Sequence, residues 1–420
     1  MTSGRKRVLF TLIVIGVLSS CAPPPRRGDG ESPGLPAVAE SYVRLALKLA
    51  QHDPELVESW RGPAGWKPGP RQPVAALLSE LETLQREVAA TTSDASSRDR
   101  IAYLAAQLQA LHLSAERLLG RSTSFAAEAQ AALGIAPAPI DRAALDHARS
   151  ALDLELPGHG RLADRYAAFK RRLVIPPARI ESVMHAALDL CRTATRQAVT
   201  LPPDERIDLV FDSASPWDGY ARYLGGHRTR IEINPDAALD VTRALRLACH
   251  EGYPGHHVQY LWIDDELVGR RNWREFELTP GFGRHLLVAE GAAEAGADLV
   301  FPDERRVAAC RDTLLPAAGL SASEAPRIVR VETLVAALEP AIGDIVAQYL
   351  DNSLTQAAAV DRLRDDALTA NPESLLAFAE RRRTRVLVYP LGRALVRHAI
   401  GDGGVAGLRR VFVDQPFAVQ

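Results

Sequence analysis

Leu239-Asp240-Val241-Thr242-Arg243-Ala244-Leu245-Arg246-Leu247-Ala248-Cys249 runs straight into His250-Glu251-Gly252-Tyr253-Pro254-Gly255-His256-His257, and the reading of this junction decides the fold. Apolar residues recur through the first part at helical spacing, which predicts a helix carrying His250 and Glu251 near its C-terminal end. The second part gathers three of the 11 histidines and a carboxylate into eight residues. Imidazole nitrogens beside a glutamate are what a catalytic zinc ion and its water require.

The cluster is two residues longer than the H-E-x-x-H zinc-protease pattern, in which the two histidines share one helix face. In a continuous helix His256 would point about 240° away from His250, and His257 would sit roughly 10 Å further along the axis. Neither could share an ion with His250 at a bond length of about 2 Å. Pro254 changes this, because a proline four residues on removes the hydrogen bond to the His250 carbonyl and clashes with it. Gly255 lets the chain turn there. A bulge that absorbs two residues brings His256 into the place of the second ligand, with His257 beside it.

A third ligand is expected from a separate helix. Leu286 to Asp298 is small and apolar apart from its acids, so it reads as a buried helix whose carboxylates need a partner. Glu290, Glu294 and Asp298 are four apart and share a face. Glu290 is the expected ligand, and Glu294, one turn on, is placed to accept from a ligand histidine's other nitrogen. The alternative is that these acids pair with arginines.

The rest of the chain sets the context. Arg5, Lys6 and Arg7 precede an apolar run from Val8 to Leu18, too short to span a bilayer and suited to an export signal over residues 1–20. It ends in Leu18-Ser19-Ser20-Cys21, which resembles a bacterial lipobox and marks Cys21 for lipidation. The Pro/Gly-rich stretch 21–35 reads as a tether. The expected location is an exported bacterial lipoprotein, anchored to the membrane by lipid and facing the periplasm or cell exterior. Losing three positive charges takes the formal net charge from −2 to −5, and a mildly acidic body without a basic run argues against nucleic-acid binding. Cys191, Cys249 and Cys310 show no C-x-x-C spacing and lie in apolar helical contexts, so they read as buried free thiols.

Amphipathic helices are predicted over 37–50, 74–88, 98–119, 124–133, 145–154, 161–173 and 177–200, and again from 239 onward, including one long helix over 324–350. The β signals fall between 205 and 235: Ile207–Phe211, and Thr229–Ile233 after a Gly225-Gly226 turn. The fold class is therefore mainly α, with a small β-hairpin or strand pair just before the histidine cluster. Residues 36–200 form an N-terminal helical region and 201–420 the zinc-binding region, most simply within one compact unit. An edge strand beside a metal site could hold an extended peptide.

With these residues in view, the chain resembles the bacterial "domain of unknown function 885" proteins, many of them lipoproteins. Their pattern of H-E-x-x-P-G-H-H, a later E-G helix and a C-terminal P-G-Q-A-like segment is matched by His250 to His257, Glu290-Gly291, and Tyr389-Pro390-Leu391-Gly392-Arg393. The resemblance implies a helical metallopeptidase-like body with one zinc ion and Glu251 as base. Two departures touch the substrate pocket: Ala292 and Ala293 replace aromatics after the E-G pair, and Arg393 stands where a glutamine is usual.

The expectation is thus a zinc-dependent hydrolase of peptides or small molecules, with His250, His256 and Glu290 as ligands and Glu251 as proton carrier. Tyr389, Arg393, His257 and His285 are the candidates for the oxyanion donor, Tyr389 having the best claim through its motif. Arg393 could alternatively take a substrate carboxylate. Tyr220 and Tyr223 read as strand packing. Two other readings stay open: a lipid-anchored envelope protein with a structural or vestigial zinc site, and a metal hydrolase of esters or non-peptide amides. The sequence says nothing of oligomeric state.

Overall fold

The computed structural model describes residues 34–91, 97–137, 139–215, 217–414 and 417; the export segment 1–20 and Cys21 lie outside them. The first half is α1 (Leu35–Ala50), β1 (Val57–Trp60), α2 (Val74–Ala90), α3 (Arg98–Leu118), α4 (Phe125–Leu133), α5 (Arg142–Glu155), α6 (Leu162–Arg171) and α7 (Ile180–Ala198). Strands β2 (Arg206–Phe211), β3 (Gly219–Gly225) and β4 (Arg228–Ile233) follow, then α8 (Val241–Glu251), α9 (His256–Trp262), β5 (Leu278–Pro280) and α10 (Gly283–Val300). The remainder is α11 (Asp303–Ala309), α12 (Leu315–Ala318), α13 (Ala325–Ala336), α14 (Glu339–Leu350), α15 (Gln356–Asp366), α16 (Pro372–Arg382), α17 (Val388–Ile400) and α18 (Gly404–Arg409). The fold is mainly α, as the periodicity implies. Among the described residues no helix is long and apolar enough to cross a membrane.

The principal core runs from Leu35 of α1 to Phe417 and draws on both regions of the chain. The predicted long helix over 324–350 is two helices, because Pro340 in the first turn of α14 cannot continue α13. The strand pair is also corrected. Ile207–Phe211 and Thr229–Ile233 do pair, but in parallel, and β3, absent from the sequence reading, makes the antiparallel hairpin with β4 through Gly225-Gly226. A second small sheet, β1 against β5, was invisible because four and three residues give no alternation to read.

Two close approaches position the site. A side chain on Gly291 of α10 would collide with the Gly392 backbone of α17, and one on Gly392 would meet the Leu287 carbonyl. These glycines bring the two backbones together, so Tyr389 and Arg393 reach the acids of α10. The cysteine reading is corrected too. Cys191 of α7 and Cys249 of α8 form a disulfide, with Cα atoms 5.3 Å apart, and among the described residues only Cys310 is free, and it is buried. The pair is 58 residues apart in sequence, so no local spacing could announce it.

Candidate metal centre

Helix α8 begins at Asp240, whose carboxylate accepts from the Thr242 and Arg243 amides. It ends where Gly252 N–H donates to Ala248 O at 3.0 Å, the last regular helical bond. The next backbone bond is Gly255 N–H to Cys249 O at 3.0 Å, spanning six residues instead of four. Two residues have been looped out, as Pro254 requires. The reason for Gly255 is closer than conformational freedom: a Cβ there would sit 1.7 Å from the His250 carbonyl oxygen. Helix resumes at His256, with its ring centroid 4.8 Å from that of His250.

His250, His256 and Glu290 each present a ligand atom, all within 4.8 Å of one another. His250 Nε2 lies 3.2 Å and His256 Nε2 3.7 Å from Glu290 Oε2. Tetrahedral ligands at about 2.0–2.1 Å from zinc stand about 3.4 Å apart, so the donor set and its distances to Glu290 suit such an ion, around which the two histidines would draw closer. The charges agree. Glu251, Glu290 and Glu294 are all buried, Arg246 pairs with Glu294, and Glu290 lies against the two imidazoles. Burial opposes a proton on His250, yet the Glu290 and Glu294 carboxylates raise its pKa to about 10. His256 is raised likewise by Glu290 against the effect of burial. Glu290 and Glu294 stay ionised despite burial, held well below the carboxylate range by the histidines and, for Glu294, by Arg246 first.

Glu294 Oε1 lies 3.0 Å from His250 Nδ1, while its Oε2 accepts from Arg246, one turn before His250 on α8. Glu294 thus steadies the ring from behind, as the four-residue spacing on α10 anticipates. Glu251 does not enter the ligand set: its Oε2 accepts from the Ala221 N–H at 2.9 Å. That amide belongs to the outer edge of β3, so Glu251 joins the edge strand to the three ligands. Tyr389 stands over the same centre, its ring 6.2 Å from that of His250. Glu290's charge and burial raise its hydroxyl well above the usual pKa, so it remains a donor.

Other expectations are redirected. His257 neither touches the three ligands nor steadies them directly; it turns into the core, fully buried, with Nδ1 2.7 Å from Thr229 Oγ1 and Nε2 3.1 Å from Glu205 Oε2. Burial lowers its pKa despite Glu205, so Nε2–H donates to Glu205 and Nδ1 accepts from Thr229. Glu205 also accepts from Tyr253 at 2.5 Å and from Arg192 and Arg196, and is held down to about 2 by His257, Tyr253 and Arg192 against the cost of burial. One carboxylate therefore grips both flanks of Pro254-Gly255-His256. Asp204-Glu205 after two prolines carried no signal of this. His285 lies in the floor of the cavity, stacked 4.0 Å from Phe417, and burial lowers its pKa to about 3. Arg393 is paired with Glu339 at 2.7 Å and lines a second cavity, whose wall also includes His250, Glu251 and Tyr389.

The ligands open on a cavity of about 300 Å³, whose wall includes Glu58, Tyr220, Tyr260 and Arg385. Tyr220, read as strand packing, is part of this wall; Tyr223 does pack, stacked on Tyr260 at 5.3 Å.

No family model matches the chain, and no curated protein does. Two solved structures are similar in fold. One is a "putative lipoprotein" from Colwellia psychrerythraea, with 14% identity and a TM-score of 0.48 over 94% of this chain and 75% of that one. The other is a "putative lipoprotein of unknown function" from Shewanella oneidensis, with 12% identity and a TM-score of 0.43 over 81% and 72% of the two chains. What this chain does is read from its own residues.

Proposed function

We propose that this protein is a zinc-dependent hydrolase acting on peptide bonds. One observation carries the reading: Glu251 stands between a three-ligand His250–His256–Glu290 centre and the free edge of β3. A structural zinc site is closed by four ligands and needs no base; three protein ligands beside an unliganded glutamate suit a catalytic one.

A divalent ion held by the three residues would act as a Lewis acid, acidifying water and polarising a carbonyl. The chain's own groups supply the rest. Glu251 Oε2 is fixed by Ala221, which leaves Oε1 to take the proton of the attacking water and return it to the leaving amine. The Tyr389 hydroxyl donates to the oxyanion. Outward-facing amides and carbonyls of β3 pair with the peptide backbone and bring the scissile bond to Glu251. Glu294 and Arg246 keep His250 in register.

We further infer export with lipid on Cys21. The sequence pattern supports it, and so does the Cys191–Cys249 disulfide, a bond that persists in oxidising compartments.

The test is a pair of measurements on protein lacking residues 1–21. Wild-type protein with zinc is expected to hydrolyse peptides, and Glu251→Gln to retain zinc while losing turnover by about 10²–10⁴-fold. Full activity in Glu251→Gln would sink the mechanism.

A further inference from the structure

Glu58 of β1 and Arg385, four residues before Tyr389, have no part in the scheme above. Both line the cavity that holds His250, Glu251, His256 and Glu290, and Arg385 is the only arginine in that wall among the described residues. Arg385 Nη2 donates to Glu58 Oε1 at 2.8 Å, and each side chain is 19% exposed. Neighbouring guanidiniums are committed elsewhere: Arg246 to Glu294 and Asp298, Arg393 to Glu339, Arg382 to Asp53 and Glu55.

A guanidinium has five donors in a planar fork, and Glu58 engages one nitrogen. Clamped from behind, Arg385 can offer its remaining edge to a second carboxylate in bidentate fashion. An ammonium group would instead meet the cation that already occupies Glu58. The cavity that Arg385 lines is about 300 Å³, at the small end of ligand pockets and enough for the end of a chain, while the rest of a substrate has the second cavity beside His250, Glu251 and Tyr389. Arg385 lines the same cavity as Glu290 and Tyr389, and Glu290's charge is felt at its guanidinium. A group bound to it is therefore within a short reach of the bond to be broken.

Resting on the hydrolase reading, we propose that Arg385, held by Glu58, is the specificity residue of the cleft and that it selects substrates ending in a free carboxylate: short peptides or N-acylamino acids. Water adds across the last C–N bond, giving a new carboxylate on the acyl side and a free amine on the released amino acid.

Binding can be measured without turnover, in the zinc-loaded Glu251→Gln protein, by calorimetric titration with N-acetyl-Ala-Xaa (Xaa Ala, Leu, Phe, Lys or Glu) as free acids and as C-terminal amides. At least one acid is expected to bind about tenfold or more tighter than its amide, a difference of about 1.4 kcal/mol. Adding Arg385→Gln should abolish that preference with zinc content unchanged, and Arg385→Lys, the safeguard against a folding defect, should retain part of it. Three results would overturn the proposal: acids and amides binding alike, neither binding, or an acid preference that survives Arg385→Gln and so comes from the metal alone. The hydrolase reading fails separately, if zinc-loaded wild type cleaves none of these compounds or longer peptides.

Discussion

His256 and His257 are neighbours in sequence and opposites in structure. His256 faces the cavity, shares Glu290 with His250, and has its pKa raised by that carboxylate. His257 faces the core, is fully buried between Thr229 and Glu205, and has its pKa lowered by burial. The front of the segment gathers carboxylates around two imidazoles, which share protons with them when no metal is bound. The back is a hydrogen-bonded network in which Thr229, Tyr253, Arg192 and Arg196 join His257 and Glu205. The contrast shows how one irregular turn is kept in place: Glu205 and the Cys191–Cys249 bond hold the rear, while the front turns its carboxylates and imidazoles to the cavity.

The largest effect expected at the rear is on the disulfide. Replacing Cys191 and Cys249 together by Ser should lower unfolding stability by about 4 kcal/mol, given a closed loop of 58 residues, as read from urea unfolding. An unchanged midpoint would mean the bond contributes nothing to holding α8. At the front, Glu294→Gln should weaken zinc binding by about 10–100-fold in chelator competition, since it removes the charge that pairs with both His250 and Arg246. Equal affinity would remove Glu294 from the account.

The smallest effect separates the two sides by pH. With His250 at about 10 in the folded metal-free protein and about 6.5 unfolded, its contribution to stability is full below about pH 6.5 and is lost as pH rises toward 10. His257, depressed in the folded state, works in the other direction: its contribution is present above about pH 6.5 and fades on acidification. Zinc displaces the His250 proton, so affinity should climb over the alkaline window. A metal-free stability profile that does not fall between pH 7 and 10 would contradict this assignment.

Much of the front was readable because its chemistry is local. Pro254 and Gly255 give the bulge, the four-residue spacing of Glu290 and Glu294 gives one buried face, and small residues announce a closely packed α10. The rear was not readable because its partners are distant. Cys191 and Glu205 carry no pattern near residue 250, and His257 looked like a neighbour of the ligands until Thr229 of β4 turned up behind it. Strand β3, which supplies the amide for Glu251, begins with Gly219-Tyr220-Ala221 and lacks the alternation of β4. Arg385 was one arginine among many; what distinguishes it from Arg393, which the sequence favoured, is a place in the cavity lined by all three of His250, His256 and Glu290.

The central claim is that His250, His256 and Glu290 hold one divalent ion and that His257 does not. Zinc content after loading and gel filtration, by mass spectrometry of the metal, tests it directly. About one zinc per chain is expected in the wild type and in a folded His257→Ala variant, and none in His256→Ala. Retention of zinc by His256→Ala, its loss from a folded His257→Ala protein, or no zinc in the wild type would contradict the account.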